Sequence, residues 1–253
     1  MSAFTIVVPA FNEERALPSV LAELRATCPG AEIIVVDDGS TDATAGIARA
    51  SGVTVVSHGA NRGYGAALKA GIRHAKNERL AFFDADGQHD PRYVVTMIEG
   101  LDTADLVIGE RTNYTRTSPL HFTGRLVLSQ VVKFLARMPL RDINCGLRAA
   151  RRSVLLRYLG LLPDGFSFAT TSTVTFAKFG SRLTFQPVDV RERIGKSSVR
   201  LVRDGYNTFL LILRLIALFE PLRVFVPPSF VLMAAGVAYG VFKYVTLPVY
   251  TGL

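Results

Sequence analysis

"AEIIVVDDGSTDATAGIARA", residues 31–50, changes period halfway along. Its first six positions are mostly apolar and β-branched, as in a strand covered on both faces. Two aspartates, a glycine and three hydroxyl or carboxyl residues follow, and then an alanine-rich helical pattern that Asp42 can cap. A strand, a polar turn and a helix within twenty residues make one half of a βαβ unit.

The unit repeats on both sides. "AFTIVV" (3–8), "VTVVS" (53–57), "RLAFFD" (79–84) and "ADLVIG" (104–109) read as further strands. Helical patterns lie near 13–26, 42–50, 64–76 and 91–101, with Pro91 suited to a first turn. Such alternation predicts an α/β fold with a doubly wound, mainly parallel sheet, whose ligands bind beyond the C-terminal strand ends. Polar residues gather at those ends: "PAFNEE", "DDGSTD", "NRGYG" and "DADGQHD" follow strands one to four. A basic turn, "RDINCGLRAARR" (141–152), leads into a new element, and a helix near 166–180 and a strand near 182–192 complete the domain.

The charge is unevenly placed. Residues 1–110 carry 9 Lys and Arg against 15 Asp and Glu, whereas 111–253 carry 20 against 6, a net of −6 followed by +14. An acidic half can hold a cation, and a basic half faces an anionic partner. The chain has no Trp, and its basic half lacks the aromatic interleaving of a single-strand binder, so a membrane is favoured over nucleic acid. Cys28 and Cys145 match no metal spacing and read as reduced thiols in a cytoplasmic domain. The N-terminus has no charged region of the kind that opens a signal peptide.

The C-terminal quarter is apolar. "YNTFLLILRLIALF" (206–219), interrupted by Arg214, reads as an interfacial helix. After Pro221, positions 224–242 run 19 residues without a charge, about 28 Å of helix at about 1.5 Å per residue. This predicts a single transmembrane span. Arg200, Arg203, Arg214 and Arg223 precede it and only Lys243 follows, which puts the N-terminal domain in the cytoplasm. The expected organisation is a catalytic domain over 1–205, an interfacial helix over 206–222 and a membrane segment with tail over 223–253.

Candidate chemistry starts at "FFDADGQHDP" (82–91). Asp84 and Asp86, at a strand end, can turn both carboxylates to one cation, with Gln88 adding a neutral oxygen. Oxygen ligands suit Mg²⁺ or Mn²⁺. Asp90, just before Pro91, reads as a helix cap. Asp37 or Asp38 can accept hydrogen bonds from a nucleobase or ribose. Arg62, Gly63 and Gly65 offer a close backbone approach to phosphate, although Leu68 stands where a dinucleotide fingerprint needs its third glycine.

"VVPAFNEE", "VVDDGSTD", "NRGYGAALKAGI" and "FFDADGQHDP", in this order, resemble a family 2 glycosyltransferase with the GT-A fold. "DINCGLRAARR" and "RERIGKSS", followed by apolar helices, narrow the resemblance to polyprenyl-phosphate glycosyltransferases of the dolichyl-phosphate mannose synthase type. It implies a membrane-bound enzyme that moves a sugar, with inversion, from a donor such as GDP-mannose or UDP-glucose to dolichyl or undecaprenyl phosphate. Pro9, Phe11, Glu13, Asp37, Asp38, Arg62, Gly63 and Asp84 would bind the donor nucleotide. Asp84, Asp86 and Gln88 would hold Mg²⁺ or Mn²⁺. Arg111, Arg125, Arg148, Arg191, Arg193, Lys196 and Ser197 would face the acceptor phosphate, with Asp86, Arg111 and Arg193 carrying catalysis. A phosphate monoester, with its second pKa near about 6, is already largely ionised, so no general base is assigned. Self-association is left open. "FATTSTVTF" (168–176) lacks the acidic residue that relatives often carry there. The rival readings are a membrane-anchored nucleotide binder without catalysis and a polysaccharide synthase, the latter disfavoured because its Q-x-x-R-W motif needs a Trp.

Overall fold

A computed structural model describes residues 3–112, 130, 142–192, 210–211 and 213–246. Strands β1 (Phe4–Ala10), β2 (Glu32–Asp37), β3 (Thr54–Ser57), β4 (Arg79–Phe82) and β5 (Leu106–Arg111) fall where the apolar runs place them. Helices α1 (Leu17–Thr27), α2 (Thr44–Ala50), α3 (Tyr64–His74) and α4 (Arg92–Gly100) fill the intervals. They are followed by β6 (Arg148–Arg151), α5 (Arg152–Tyr158), α6 (Phe168–Lys178), β7 (Leu183–Val188) and the long helix α7 (Pro221–Thr246).

Seven strands form one sheet in the order β3-β2-β1-β4-β6-β5-β7. Every pairing is parallel except those of β6, which runs antiparallel between β4 and β5. Every residue of β1, at the centre, is buried, as its continuous apolar run requires. The edge strands β3 and β7 are half-exposed, and β7 tolerates Pro187 because no further strand needs its N–H. Helix α3 crosses β1 so closely that a Cβ at Gly71 would overlap Val7. The order reverses between β1 and β4, and the loops after β1, β2 and β4 open side by side at that point, where open α/β sheets bind ligands.

Strand β6 lies where the sequence reading placed only a turn. "RAAR" has charged ends and two alanines, with no β-branched residue to announce a strand. It forms because burial between β4 and β5 outweighs weak propensity.

Within the stretch expected as an interfacial helix, residues 210–211 and 213–219 are helical. Leu215 there is fully buried, whereas Leu210, Leu213 and Leu218 are exposed. Lys178, at the end of α6, pairs with Glu220 and ties this region to the domain. Helix α7 opens on Pro221, a residue suited to a first turn, and continues through Pro227 and Pro228. Its segment Phe225–Thr246 spans 22 residues at a mean hydropathy of 1.7 and buries none of its apolar window. At about 1.5 Å per residue it extends roughly 33 Å, long and apolar enough to cross a bilayer.

Candidate active site

A cleft of about 410 Å³ opens at the C-terminal ends of β1, β2 and β4. Pro9, Phe11, Glu13, Asp38, Gly63, Asp84 and Asp86 line it, seven of the residues singled out from sequence. Asn61, Tyr64, Asn144, Gly146 and Phe166 also line it, with four alanines between them. Asp37, Arg62 and Gln88 are not part of the lining.

The loops after β1 and β2 are laced together. Asn12, at φ 56°, accepts through Oδ1 from the Thr41 N–H at 2.8 Å, while its own N–H donates to Ser40 Oγ at 3.0 Å. The Glu13 N–H donates to Thr44 Oγ1 at 2.9 Å. Asp42 accepts from the Thr44 N–H at 2.9 Å and so caps α2, as its position in the sequence suggests. Burial would raise the Asp42 carboxyl, but its hydrogen bonds from Thr44 and Glu14 hold it below the usual range.

The adjacent aspartates divide their work. Asp37 turns back to accept from the Ser40 N–H at 3.1 Å, stabilising the turn. Asp38 faces the cleft and meets His58 Nδ1 at 2.6 Å, and it accepts from the N–H groups of Arg62 at 3.0 Å and Gly63 at 2.8 Å. "NRGYG" is thereby folded around the Asp38 carboxylate. Gly63 sits at φ 104°, a backbone region that favours glycine.

Asp84 and Asp86 are fixed from different directions. Asp84 Oδ1 accepts from the Tyr64 hydroxyl at 2.8 Å. Burial, and then the Asp84 charge, push the Tyr64 phenol well above its ordinary pKa, so it remains a donor. Asp86 Oδ1 accepts from the Gln88 N–H at 3.1 Å. Behind Asp84 stands Gly146, where a Cβ would lie 2.8 Å from Asp84 Cγ and closer still to Oδ2. Only a glycine lets this backbone approach the carboxylate.

Among the described residues no group of three or more His, Cys, Asp or Glu side chains is placed to share a metal. Two carboxylates converging on one cleft do suit a hard divalent ion, which takes one or two carboxylates and completes its shell with phosphate oxygens and water. Asp84 and Asp86 therefore fit such an ion. Gln88 offers its backbone instead: its carbonyl accepts from the Arg191 N–H at 2.8 Å.

The arginines depart furthest from expectation. Arg148 does not face an acceptor phosphate. It is 1% exposed, and its guanidinium donates to the carbonyls of Cys145 (2.6 Å) and Ala169 (2.9 Å) and to Ser172 Oγ (2.9 Å). It pins the loop before β6 to the first turn of α6, and that loop carries Asn144 and Gly146 into the cleft. Arg191 also stands away from the cleft, pairing with Glu23 at 2.8 Å and Asp90 at 3.0 Å. Asp90 accepts from the Arg92 N–H at 2.9 Å, the capping role expected of it, and its bonds from Arg92 and then Arg191 lower its pKa to about 2. Arg111, at the end of β5, holds Asp142 in a fork at 2.6 and 2.9 Å. Arg125, Arg193, Lys196 and Ser197 lie outside the described residues.

The sequence reading missed Asn61, Tyr64, Asn144, Gly146 and Phe166 as cleft residues. Asn61 and Tyr64 were within reach, since "NRGYG" was read only for Arg62 and its glycines; the others enter through tertiary packing. His89 lies outside the cleft lining, beside Phe83. It is 6% exposed, packs edge-on against Phe83 with centroids 6.2 Å apart, and burial lowers its pKa to about 4.

Comparison with known proteins bears on what this cleft does. The family model for glycosyl transferase family 2 matches residues 5–159. The undecaprenyl-phosphate mannosyltransferase of Micrococcus luteus is 32% identical over 208 residues, covering 76% of this chain and 86% of that one. The polyprenol monophosphomannose synthase of Mycolicibacterium smegmatis is 34% identical over 219 residues, covering 79% and 83%. Among solved structures, glucosyl-3-phosphoglycerate synthase from Mycobacterium tuberculosis with Mn²⁺, UDP and glucosyl-3-phosphoglycerate superposes with a TM-score of 0.69. That match is 25% identical and covers 85% of this chain and 79% of that one.

Proposed function

The chain belongs to glycosyl transferase family 2, and from that premise we propose that it transfers a sugar from a nucleotide-sugar donor to a polyprenyl phosphate at a membrane surface. The observation that carries this reading is the convergence of Asp84 and Asp86 on one cleft beside Asp38 and the loop after β1. The names of the relatives supply the acceptor class, and the exposed apolar helix α7 suits an enzyme whose acceptor is a lipid.

In this reading the base and ribose lie against Pro9, Phe11, Glu13 and Asp38, and the diphosphate reaches Asp84 and Asp86. Those two carboxylates would hold Mg²⁺ or Mn²⁺, which would supply positive charge to the departing diphosphate. Tyr64 fixes the rotamer of Asp84, and the Gln88 N–H fixes that of Asp86. Prealigned groups of this kind need no reorganisation as charge develops.

The acceptor phosphate is the nucleophile, ionised without help, and one displacement inverts the anomeric carbon. Arg111 stands at the same end of the sheet and would meet that phosphate, its orientation set by Asp142. Arg125, Arg193, Lys196 and Ser197 are proposed to join it. Helix α7 would anchor the chain with the sheet domain on the cytoplasmic side, the side richer in arginine.

The test supplies purified chain with a panel of nucleotide sugars, Mn²⁺ or Mg²⁺, and undecaprenyl or dolichyl phosphate, and reads release of nucleoside diphosphate. Lipid-dependent release that EDTA abolishes is expected. Nucleotide binding without lipid-dependent release would favour the non-catalytic binder.

A further inference from the structure

Among the described residues no large apolar side chain is more exposed than Phe166, at 83%. It lies on the loop "PDGFS" (163–167), before α6. That loop is held firmly from below. Asp164 accepts from the Ala66 N–H at 2.9 Å through its carbonyl and from Lys69 Nζ at 2.7 Å through its carboxylate. Its backbone presses on the first turn of α3, so that a Cβ at Gly63 would lie 2.6 Å from Asp164 O. The exposed ring is therefore presented on a fixed support.

One face of the ring is already used. Phe166 stacks on Tyr64 at 5.7 Å between centroids and 12° between planes. Tyr64 in turn donates to Asp84 at 2.8 Å. The series Phe166, Tyr64, Asp84 joins an apolar ring to a carboxylate of the cleft, and all three line that cleft. On the donor-site reading, a ligand whose diphosphate reaches Asp84 and Asp86 through a divalent cation would have its neighbouring group beside this ring, where a surface of C–H bonds fits.

We propose that Phe166, stacked on Tyr64, is the platform on which the sugar of the donor rests, and that it sets sugar selectivity and orientation. A hexose has a rim of hydroxyls and an apolar C–H face, and its C–H bonds, polarised by ring oxygens, suit the electron-rich face of an arene. The sugar is also the part of the donor bonded directly to the diphosphate. Arg111, proposed to meet the acceptor, does not share this wall: it is paired with Asp142 and is not part of the cleft lining. The inference rests on the donor-site reading above and adds to it the residue that selects the sugar.

Binding of GDP-mannose and UDP-glucose, each against GDP and UDP alone, tests this by calorimetry with Mn²⁺ on the full chain in detergent. Phe166→Leu should weaken the preferred nucleotide sugar on the order of tenfold. The matching nucleoside diphosphate should stay within about twofold, and Phe166→Tyr should restore sugar affinity. Unchanged nucleotide-sugar affinity in Phe166→Leu would overturn the platform while leaving the donor site standing. Equal weakening of sugar and diphosphate would also overturn it, by showing that the ring merely supports Tyr64 and Asp84. If the wild-type chain binds none of the four nucleotides, the donor-site reading falls, and the platform with it.

Discussion

Replacing Gly146 by alanine puts one methyl group where the backbone now meets Asp84. The new Cβ would lie 2.8 Å from Asp84 Cγ and 3.0 Å from Oδ1, well inside ordinary contact. The loop cannot retreat easily, because Arg148 holds the carbonyls of Ile143 and Cys145. Asp84 must give way instead and surrender its bond from Tyr64. Reaching a metal from the displaced position would then require an off-rotamer side chain, about 0.5–1.5 kcal/mol. The hydrogen bond to a charged group is worth about 1.5–3 kcal/mol more. Together these come to roughly 2–4.5 kcal/mol, or about 30- to 2,000-fold in affinity. Calorimetric titration of Mn²⁺ in the presence of GDP or UDP should show that loss in Gly146→Ala. The Tm should move by only a few degrees, since Asp84 can swing into the cleft. Metal–nucleotide affinity equal to wild type would refute the reasoning, as would a large fall in Tm with affinity preserved.

Arg148→Ala should lower stability by roughly 3–5 kcal/mol, because several buried acceptors lose their donor. At about 2–4 °C per kcal/mol for a domain of this size, calorimetry should record a Tm lower by roughly 6–20 °C. A normal Tm with lost acceptor affinity would instead return Arg148 to the phosphate. Asp142 should contribute pH-dependent stability. Burial would raise its carboxyl, but the hydrogen bonds from Arg111 outweigh burial and hold it below the usual range. With the folded value depressed, that contribution is present above the unfolded value of about 3.9 and is lost as pH falls below it. Urea unfolding should therefore show the advantage of wild type over Asp142→Asn shrinking from pH 5 to pH 3; a constant gap would contradict this. Removal of residues 224–253 should release the chain from sedimenting membranes, and unaltered sedimentation would assign anchoring to the preceding basic and helical segment.

The first five strands and four helices were legible because each carries its own periodicity and its own turn residues. The same local signals placed the polar loops at one end of the sheet, and so found Asp38, Asp84 and Asp86. They could not separate Asp37 from Asp38, since adjacent residues on a strand end differ only in which way each side chain points. They also could not distinguish Arg148 from a solvent-facing arginine. What marks it is a cage of carbonyls and hydroxyls from two segments more than twenty residues apart in sequence. Gly146 reads as one more turn glycine until β4 and β6 are paired and Asp84 is found against it. Phe166 has no local pattern at all, because its place depends on the fit between its loop and the first turn of α3.

The most direct test of the account is the product itself. Wild type and Asp86→Ala are incubated with the preferred nucleotide sugar, Mn²⁺ and polyprenyl phosphate, and the lipid fraction is read by mass spectrometry. The account predicts a polyprenyl phosphate heavier by one sugar residue in the wild-type reaction and none above background with Asp86→Ala, whose fold is retained by circular dichroism. A glycolipid formed equally well by Asp86→Ala, or none formed by wild type with any donor in the panel, would contradict it.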